Sequence, residues 1–227
     1  MAIADSLTDV KVRIAAAERR FLRPPGDVKL LAVSKRKTVA AIEEAILAGQ
    51  RLFGENQLQE ALPKIESIGR SDLEWHYIGP IQSNKTRPIA TNFDWVHGVD
   101  RLKIAARLSE HRPHSLEPLQ VCIQVNVSGE DSKSGVTVDD VDELAHAVSE
   151  LPNLQLRGLM AIPQPEPDFE AQRKSFAVLR AKFDRLNQSG LVMDTLSMGM
   201  TDDMEAAIAE GATIVRIGTA IFGVRDT

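Results

Sequence analysis

A lysine stands at the point where a short apolar segment ends. Residues 30–33 read Leu-Leu-Ala-Val, and Ser34 and Lys35 follow them, with two further cations, Arg36 and Lys37, directly after. The run is too short for a helix, so it predicts a strand buried on both faces that leaves Lys35 half desolvated at its end. Desolvation and the adjacent cations should lower the pKa of Lys35 and make it an amine nucleophile able to form a Schiff base. A strand end followed by solvated charges is the alternative.

Two glycine-containing segments near the end of the chain could bind a phosphate. Ser197 and Gly199 follow one predicted strand, and Gly218 and Thr219 follow the next. Backbone N–H groups at a helix start bind anions, and glycine lets a phosphate approach the backbone closely. The alternative is two ordinary loops in which Thr201 and Thr219 cap the following helices.

A phosphate site opposite a Schiff-base lysine predicts pyridoxal 5′-phosphate (PLP) as the cofactor. Arg216 ends the last predicted strand and could reach the pyridine nitrogen. Guanidinium only donates hydrogen bonds, so it would keep that nitrogen unprotonated and make the ring a poorer electron sink. Such a site suits PLP storage, or a racemisation with a short-lived carbanion. Met198 could lie on the flat ring, and Met160 ends the sixth predicted strand on the same side.

Strand and helix patterns alternate along the whole chain. After a first helix at 5–21, strands are predicted at 30–33, 51–53, 74–77, 94–97, 119–125, 155–160, 195–197 and 213–217. Helices are predicted between and after them, at 39–47, 57–68, 84–91, 103–111, 138–151, 169–187 and 203–210. Eight such units predict a closed (β/α)8 TIM barrel with an extra N-terminal helix, and the functional residues should lie at the carboxyl ends of its strands. An open doubly wound sheet is the alternative.

Composition narrows the function further. The 227 residues predict one domain spanning 1–227, since no linker or low-complexity tract divides them. A net charge of -5 argues against nucleic-acid and membrane-surface binding. The single cysteine, Cys122, cannot form an intrachain disulfide, and the five histidines show no metal-ligand spacing. Without a signal-peptide pattern or a membrane-spanning stretch, the chain is expected to be cytoplasmic.

Seven segments together resemble the pyridoxal phosphate homeostasis proteins (YggS/PROSC-like), in order and over nearly the whole chain. These segments are 32–35 (AVSK), 53–56 (FGEN), 76–85 (HYIGPIQSNK), 132–135 (SKSG), 158–160 (GLM), 196–200 (LSMGM) and 215–218 (VRIG). The resemblance implies a barrel like the N-terminal domain of alanine racemase, monomeric, with PLP on Lys35. It places these residues around the cofactor: Asn56, Ser197, Gly199, Arg216, Gly218 and Thr219. It also implies a role in intracellular PLP supply, without established enzymatic activity.

Three functions remain open from the residues alone. They are a PLP carrier or regulator that could deliver PLP to dependent apoenzymes, a PLP-dependent amino-acid racemase, and a barrel that binds another phosphorylated small molecule. Two-base racemisation needs an acid/base group opposite the lysine. The chain's single tyrosine, Tyr77, is predicted to point away from that face, and no second domain is expected after the last strand, which favours the carrier. Lys37 and Lys133 could capture PLP transiently as it leaves Lys35, or could be solvated charges.

Overall fold

Parallel strands close into a barrel in this computed structural model, which describes residues 2–129 and 134–223. The strands are β1 (Lys29–Val33), β2 (Leu52–Glu55), β3 (Glu74–Tyr77), β4 (Trp95–Val99), β5 (Leu119–Asn126), β6 (Val136–Thr137), β7 (Leu154–Met160), β8 (Thr195–Ser197) and β9 (Ile214–Ile217). Their order is β4-β3-β2-β1-β9-β8-β7-β5, and β4 also pairs with β5. That last pairing closes the ring of eight strands and excludes the open sheet.

Helices surround the barrel. They are α1 (Ile3–Arg20), α2 (Val39–Leu47), α3 (Leu58–Ile68), α4 (Thr86–Asn92), α5 (Leu102–His111), α6 (Val141–Ser149), α7 (Phe169–Gln188), α8 (Met204–Ala209) and α9 (Thr219–Phe222), with a 3-10 turn at Ser83–Lys85 before α4. α1 is the predicted extra helix. It buries the stripe Leu7, Val10, Ile14 and Ala17, and Arg19 and Arg20 complement the dipole in its last turn.

The predicted (β/α)8 barrel is confirmed, and element ends differ by a few residues. Thr38 caps α2, since its Oγ1 accepts a hydrogen bond from the Ala41 N–H. α6 starts later than predicted because the Thr137 and Asp140 side chains bond each other and hold a turn before it. The short β6, beside β5, and the single-turn helix α9 were not predicted.

Apolar side chains form two layers. The larger one lies between the strands and the helices. A smaller one fills the barrel interior and consists of Leu31, Trp95, Cys122, Met160 and Ile214. Strand alternation separates the layers, because successive side chains point to opposite faces of a strand. Inside the described ranges, no helix is long and apolar enough to cross a membrane.

Candidate functional site

Lys35 lies in a tight turn directly after β1, at the end of the barrel where all strands have their carboxyl ends, here called the barrel mouth. The Lys37 N–H donates to the Ser34 carbonyl at 3.1 Å and closes the turn. Arg36 adopts a φ of 59°, and its N–H donates to Glu60 Oε2 at 3.0 Å. The Lys35 side chain is half-buried, as the sequence predicted. Its lowered pKa stays a prediction.

A buried ion pair supports this turn from outside the barrel wall. Lys64 Nζ lies 2.8 Å from Glu55 Oε1 and 3.0 Å from the Ser34 carbonyl oxygen. The Ser34 hydroxyl donates to the same carboxylate oxygen at 2.7 Å. Glu55 is 0% exposed, and burial raises its pKa although Lys64 and Ser34 act in the opposite direction. The residue before Lys35 is therefore fixed through both its side chain and its backbone.

Arg216 points from β9 into the barrel interior, next to β1, and is 3% exposed. Its Nη1 donates to the Ser197 carbonyl at 2.6 Å and to the Ser197 hydroxyl at 2.8 Å, and its Nη2 donates to the Ala161 carbonyl at 2.9 Å. Burial lowers the pKa of the guanidinium to about 10, so it remains charged at neutral pH. The predicted donor-only group is thus present beneath the mouth and firmly oriented.

The two glycine loops flank this arginine. Gly199 has a φ of +95°, and a Cβ there would lie 2.6 Å from the Ala207 Cβ, so only glycine fits. Gly218 lies against β1, because a Cβ on it would approach the Val33 carbonyl oxygen to 3.2 Å. Thr219 is the first residue of α9, whose first N–H groups have no partner within the helix.

The helix caps after these loops differ from those of the alternative interpretation, in which the loops bind no phosphate. α8 begins at Met204 and its N-cap is Asp203, not Thr201. An Asp203 carboxylate oxygen accepts the Met200 N–H, which holds the loop. α9 has Gly218 at its N-cap. The loops are therefore ordered by Asp203 and by glycine geometry.

The remaining predicted cofactor residues divide into two groups. Asn56 follows β2 at the mouth, and the pairing of Val33 with Gly54 places it beside Lys35 in register. Met160 belongs to the interior layer. Met198 does not face the mouth: it follows the inward-pointing Ser197, so alternation directs it into the layer between strands and helices. The predicted contact of Met198 with the cofactor ring is therefore corrected.

Tyr77 faces away from the barrel interior, as alternation predicted. It is buried in the outer layer, where its hydroxyl donates to the Pro80 carbonyl at 3.2 Å, and burial raises its pKa. Lys37 Nζ donates to the Phe222 carbonyl at 2.9 Å, which links the Lys35 turn to α9. Lys133 lies outside the described residues. Among those that are described, no three His, Cys, Asp or Glu side chains are grouped so that they could hold a metal ion.

Sequence reasoning missed the residues that support the site. The spacing of the histidines gave no indication of a site, yet His76 and His97 hydrogen-bond each other inside the barrel at 2.9 Å. Lys64 lies within the helix predicted at 57–68 and was given no role of its own. Its signal is a charge on the apolar face of α3, three residues after the buried Ala61.

Comparison with known proteins agrees with this arrangement. Residues 6–226 match the family model described as alanine racemase, N-terminal domain. Two curated relatives carry the name pyridoxal phosphate homeostasis protein. The one from Pseudomonas aeruginosa is 61% identical over 99% of this chain and 96% of the relative. The one from Escherichia coli K12 is 55% identical over 99% of this chain and 97% of the relative.

A solved structure extends the comparison. PipY of Synechococcus elongatus, determined with PLP bound, has a TM-score of 0.85 and 38% identity over 97% of this chain and 100% of that chain. The fold and the matched model thus define a barrel of the alanine racemase N-terminal class. Within that class, the chain belongs to the family of pyridoxal phosphate homeostasis proteins.

Proposed function

We propose that this chain binds PLP at the barrel mouth and serves the homeostasis of PLP inside the cell. The observation that carries the proposal is the buried, charged Arg216, oriented on β9 beside the strand that ends in Lys35. A buried guanidinium needs partners for its donors, and here it has them in Ser197 and Ala161. That fixed orientation suits a planar ring that presents an unprotonated nitrogen to the arginine.

The residues of the mouth have distinct tasks in this proposal. PLP, when bound, supplies an aldehyde that reacts reversibly with primary amines. Lys35 provides the amine, and its turn holds the amine at the mouth. Gly199, Gly218 and Thr219 hold the phosphate through backbone N–H groups and a hydroxyl. Among the described residues the Asn56 side-chain amide has no hydrogen-bond partner, so it is available to the cofactor.

The arrangement supports storage and delivery in preference to catalysis. Arg216 gives the cofactor ring no proton, and Tyr77, the single tyrosine, is buried in the outer layer. The curated relatives are named homeostasis proteins. PipY was solved both with and without PLP. We propose that this chain likewise takes up and releases PLP, as a monomer with one domain, and that PLP-dependent apoenzymes receive it.

Attachment to Lys35 is the first testable prediction. The purified protein with PLP should absorb in the near-visible region, and borohydride reduction should leave a stable adduct on the peptide that contains Lys35. Lys35→Ala should abolish both signals while thermal unfolding stays unchanged, because Lys35 is half-buried and its turn is held by backbone bonds.

The matched control is Lys85→Ala, which removes another lysine located after a barrel strand. It should leave the absorbance and the adduct intact. A Lys35→Ala protein that retains the band, with the reduced adduct on Lys85 or Lys133, would falsify the assignment.

A further inference from the structure

Five polar side chains form a continuous line of hydrogen bonds through the barrel interior, here called the polar chain. Arg216 Nη1 lies 2.8 Å from Ser197 Oγ, and Ser197 Oγ lies 2.8 Å from His97 Nδ1. His97 Nε2 lies 2.9 Å from His76 Nδ1, and His76 Nε2 lies 2.8 Å from Glu74 Oε1. Since Glu74 begins β3 and Arg216 is close to the end of β9, the polar chain connects the N-terminal face of the barrel with the mouth.

The middle of the polar chain is shielded from water. Ser197, His97 and His76 are fully buried, and the His76 ring stacks on Trp95 at a centroid distance of 5.4 Å. Glu74 has a side chain that is 37% exposed, and it lines a cavity of about 590 Å³ at the N-terminal face. Buried polar atoms must find partners in the protein, so each interior member depends on its two neighbours.

The two imidazoles are neutral and the terminal groups are charged. Burial lowers the pKa of His76. The pKa of His97 is lowered more strongly, first by burial and then by the neighbouring His76. The hydrogen bond from His76 keeps the pKa of Glu74 below its usual range. The charged groups that act on the two rings are Glu74, Asp94, Lys29 and Arg216.

These charge states fix the direction of every hydrogen bond. A carboxylate only accepts, so Glu74 requires a proton on His76 Nε2. The neutral ring then has no proton on Nδ1, which must accept from His97 Nε2. His97 Nδ1 in turn accepts the Ser197 hydroxyl proton, and the Ser197 oxygen accepts from Arg216. If every hydrogen bond ran in the opposite direction, His97 Nδ1 would donate to Ser197 Oγ. The buried Ser197 hydroxyl proton would then have no acceptor within the polar chain.

We propose that Glu74 is a positioning residue that sets this direction and, through His76, His97 and Ser197, holds Arg216 in its orientation at the mouth. The inference rests on the proposed PLP site for its functional effect. It also changes the expected role of Ser197, whose single proton goes to His97 and is not available to a phosphate oxygen. The phosphate is then held by Gly199, Gly218 and Thr219.

Nitrogen NMR of the histidine side chains in the cofactor-free protein tests the direction without using PLP. Wild type should show His76 and His97 both protonated on Nε2. Glu74→Gln keeps an acceptor oxygen and should preserve this state. Glu74→Lys offers only donors, so it should move the proton to Nδ1 on both rings. Glu117→Lys, on the same cavity but outside the polar chain, is the matched control and should match wild type.

PLP retention is the second measurement, by equilibrium dialysis of the same variants. Glu74→Lys should retain PLP about tenfold less tightly, the size of one lost hydrogen bond to a charged group, while Glu74→Gln and Glu117→Lys stay within about twofold of wild type. A proton on Nδ1 of either ring in wild type, or unchanged rings in Glu74→Lys, would overturn the proposal. Failure of wild type to bind PLP would instead remove the proposed function and leave the NMR result standing.

Discussion

The polar chain and the Lys64–Glu55 ion pair are two buried sets of polar side chains on opposite sides of the barrel wall. They support the same site by different means. Inside, the polar chain separates the charges of Arg216 and Glu74 by three neutral side chains. Outside, Lys64 and Glu55 meet directly at 2.8 Å. Inside, every link is a donor matched to an acceptor. Outside, Glu55 Oε2 has no hydrogen-bond partner within the described part of the chain.

The difference separates orientation from stability. In a buried ion pair, the attraction between the two charges must offset the loss of hydration of both. When one partner is removed, the remaining buried charge keeps its desolvation penalty without that attraction. In the polar chain the three middle side chains are neutral and only Arg216 is a fully buried charge, and the direction of the hydrogen bonds depends on the group at the Glu74 end. We therefore expect the outer pair to control the stability of the Lys35 turn, and the inner chain to control the orientation of Arg216.

Breaking the outer pair should have the largest effect. Lys64→Met leaves Glu55 buried and unpaired, and should lower the free energy of unfolding by about 3–5 kcal/mol in urea titration. The double variant Lys64→Met/Glu55→Leu replaces the pair by apolar side chains and should recover most of that loss. A single variant as stable as wild type would show that the pair contributes nothing to the wall of the barrel.

Interrupting the inner chain should cost less and act mainly on the site. Ser197→Ala removes one buried hydrogen-bond partner from His97 and one from Arg216, a loss of about 1–3 kcal/mol in the free energy of unfolding. Retention of PLP and of pyridoxal, which lacks the phosphate, should fall equally, because the proposed role of Arg216 is to contact the cofactor ring. Thr219→Ala should weaken only PLP, by about 1–2 kcal/mol. If Ser197→Ala affects PLP but not pyridoxal, Ser197 acts on the phosphate after all.

The smallest expected effect is an opposite pH dependence of the two glutamates. Burial raises the pKa of Glu55 above its usual 4.5, so the stability it contributes is complete below that pH and is lost as the pH rises through the raised value. The pKa of Glu74 is lowered, so its contribution is complete above pH 4.5 and is lost as the pH falls.

Urea unfolding from about pH 3.5 to about pH 7 measures this contrast. The stability of wild type relative to Glu55→Gln should decrease with rising pH, and that relative to Glu74→Gln should increase. If the two stability differences changed with pH in the same direction, the opposite pKa shifts assigned to Glu55 and Glu74 would be wrong.

The sequence predicted the barrel and most residues of the mouth because these depend on local patterns. Lys35 and Gly218 each follow a short apolar run, and strand alternation was enough to place Tyr77 in the outer layer. The expected ring contact of Met198 rested on the shape of its side chain, whereas alternation next to the inward-pointing Ser197 directs Met198 into the outer layer.

The polar chain could not be predicted, because it depends on how neighbouring strands are offset. His76 pairs in register with Trp95, and the register between β4 and β5 shifts between Val96 and Val99. Such irregularities decide which inward side chains meet across the barrel, and they leave no mark in the hydrophobic pattern. The role of Lys64 could not be predicted either, because it depends on the position of Glu55 next to the same turn in the folded protein.

The pairing of β1 with β9 determines when the site can form during synthesis. The Lys35 turn is translated early, whereas the Phe222 carbonyl that its Lys37 binds lies 185 residues later. Contacts between residues so far apart in sequence form slowly, and Arg216 and the Gly218 loop can reach the Lys35 turn only after the preceding strands have been synthesised. A growing chain that stops before Ile214 lacks this arginine and one barrel strand. The proposed site, which combines Lys35 with Arg216, can therefore form only once β9 has joined β1 in the barrel.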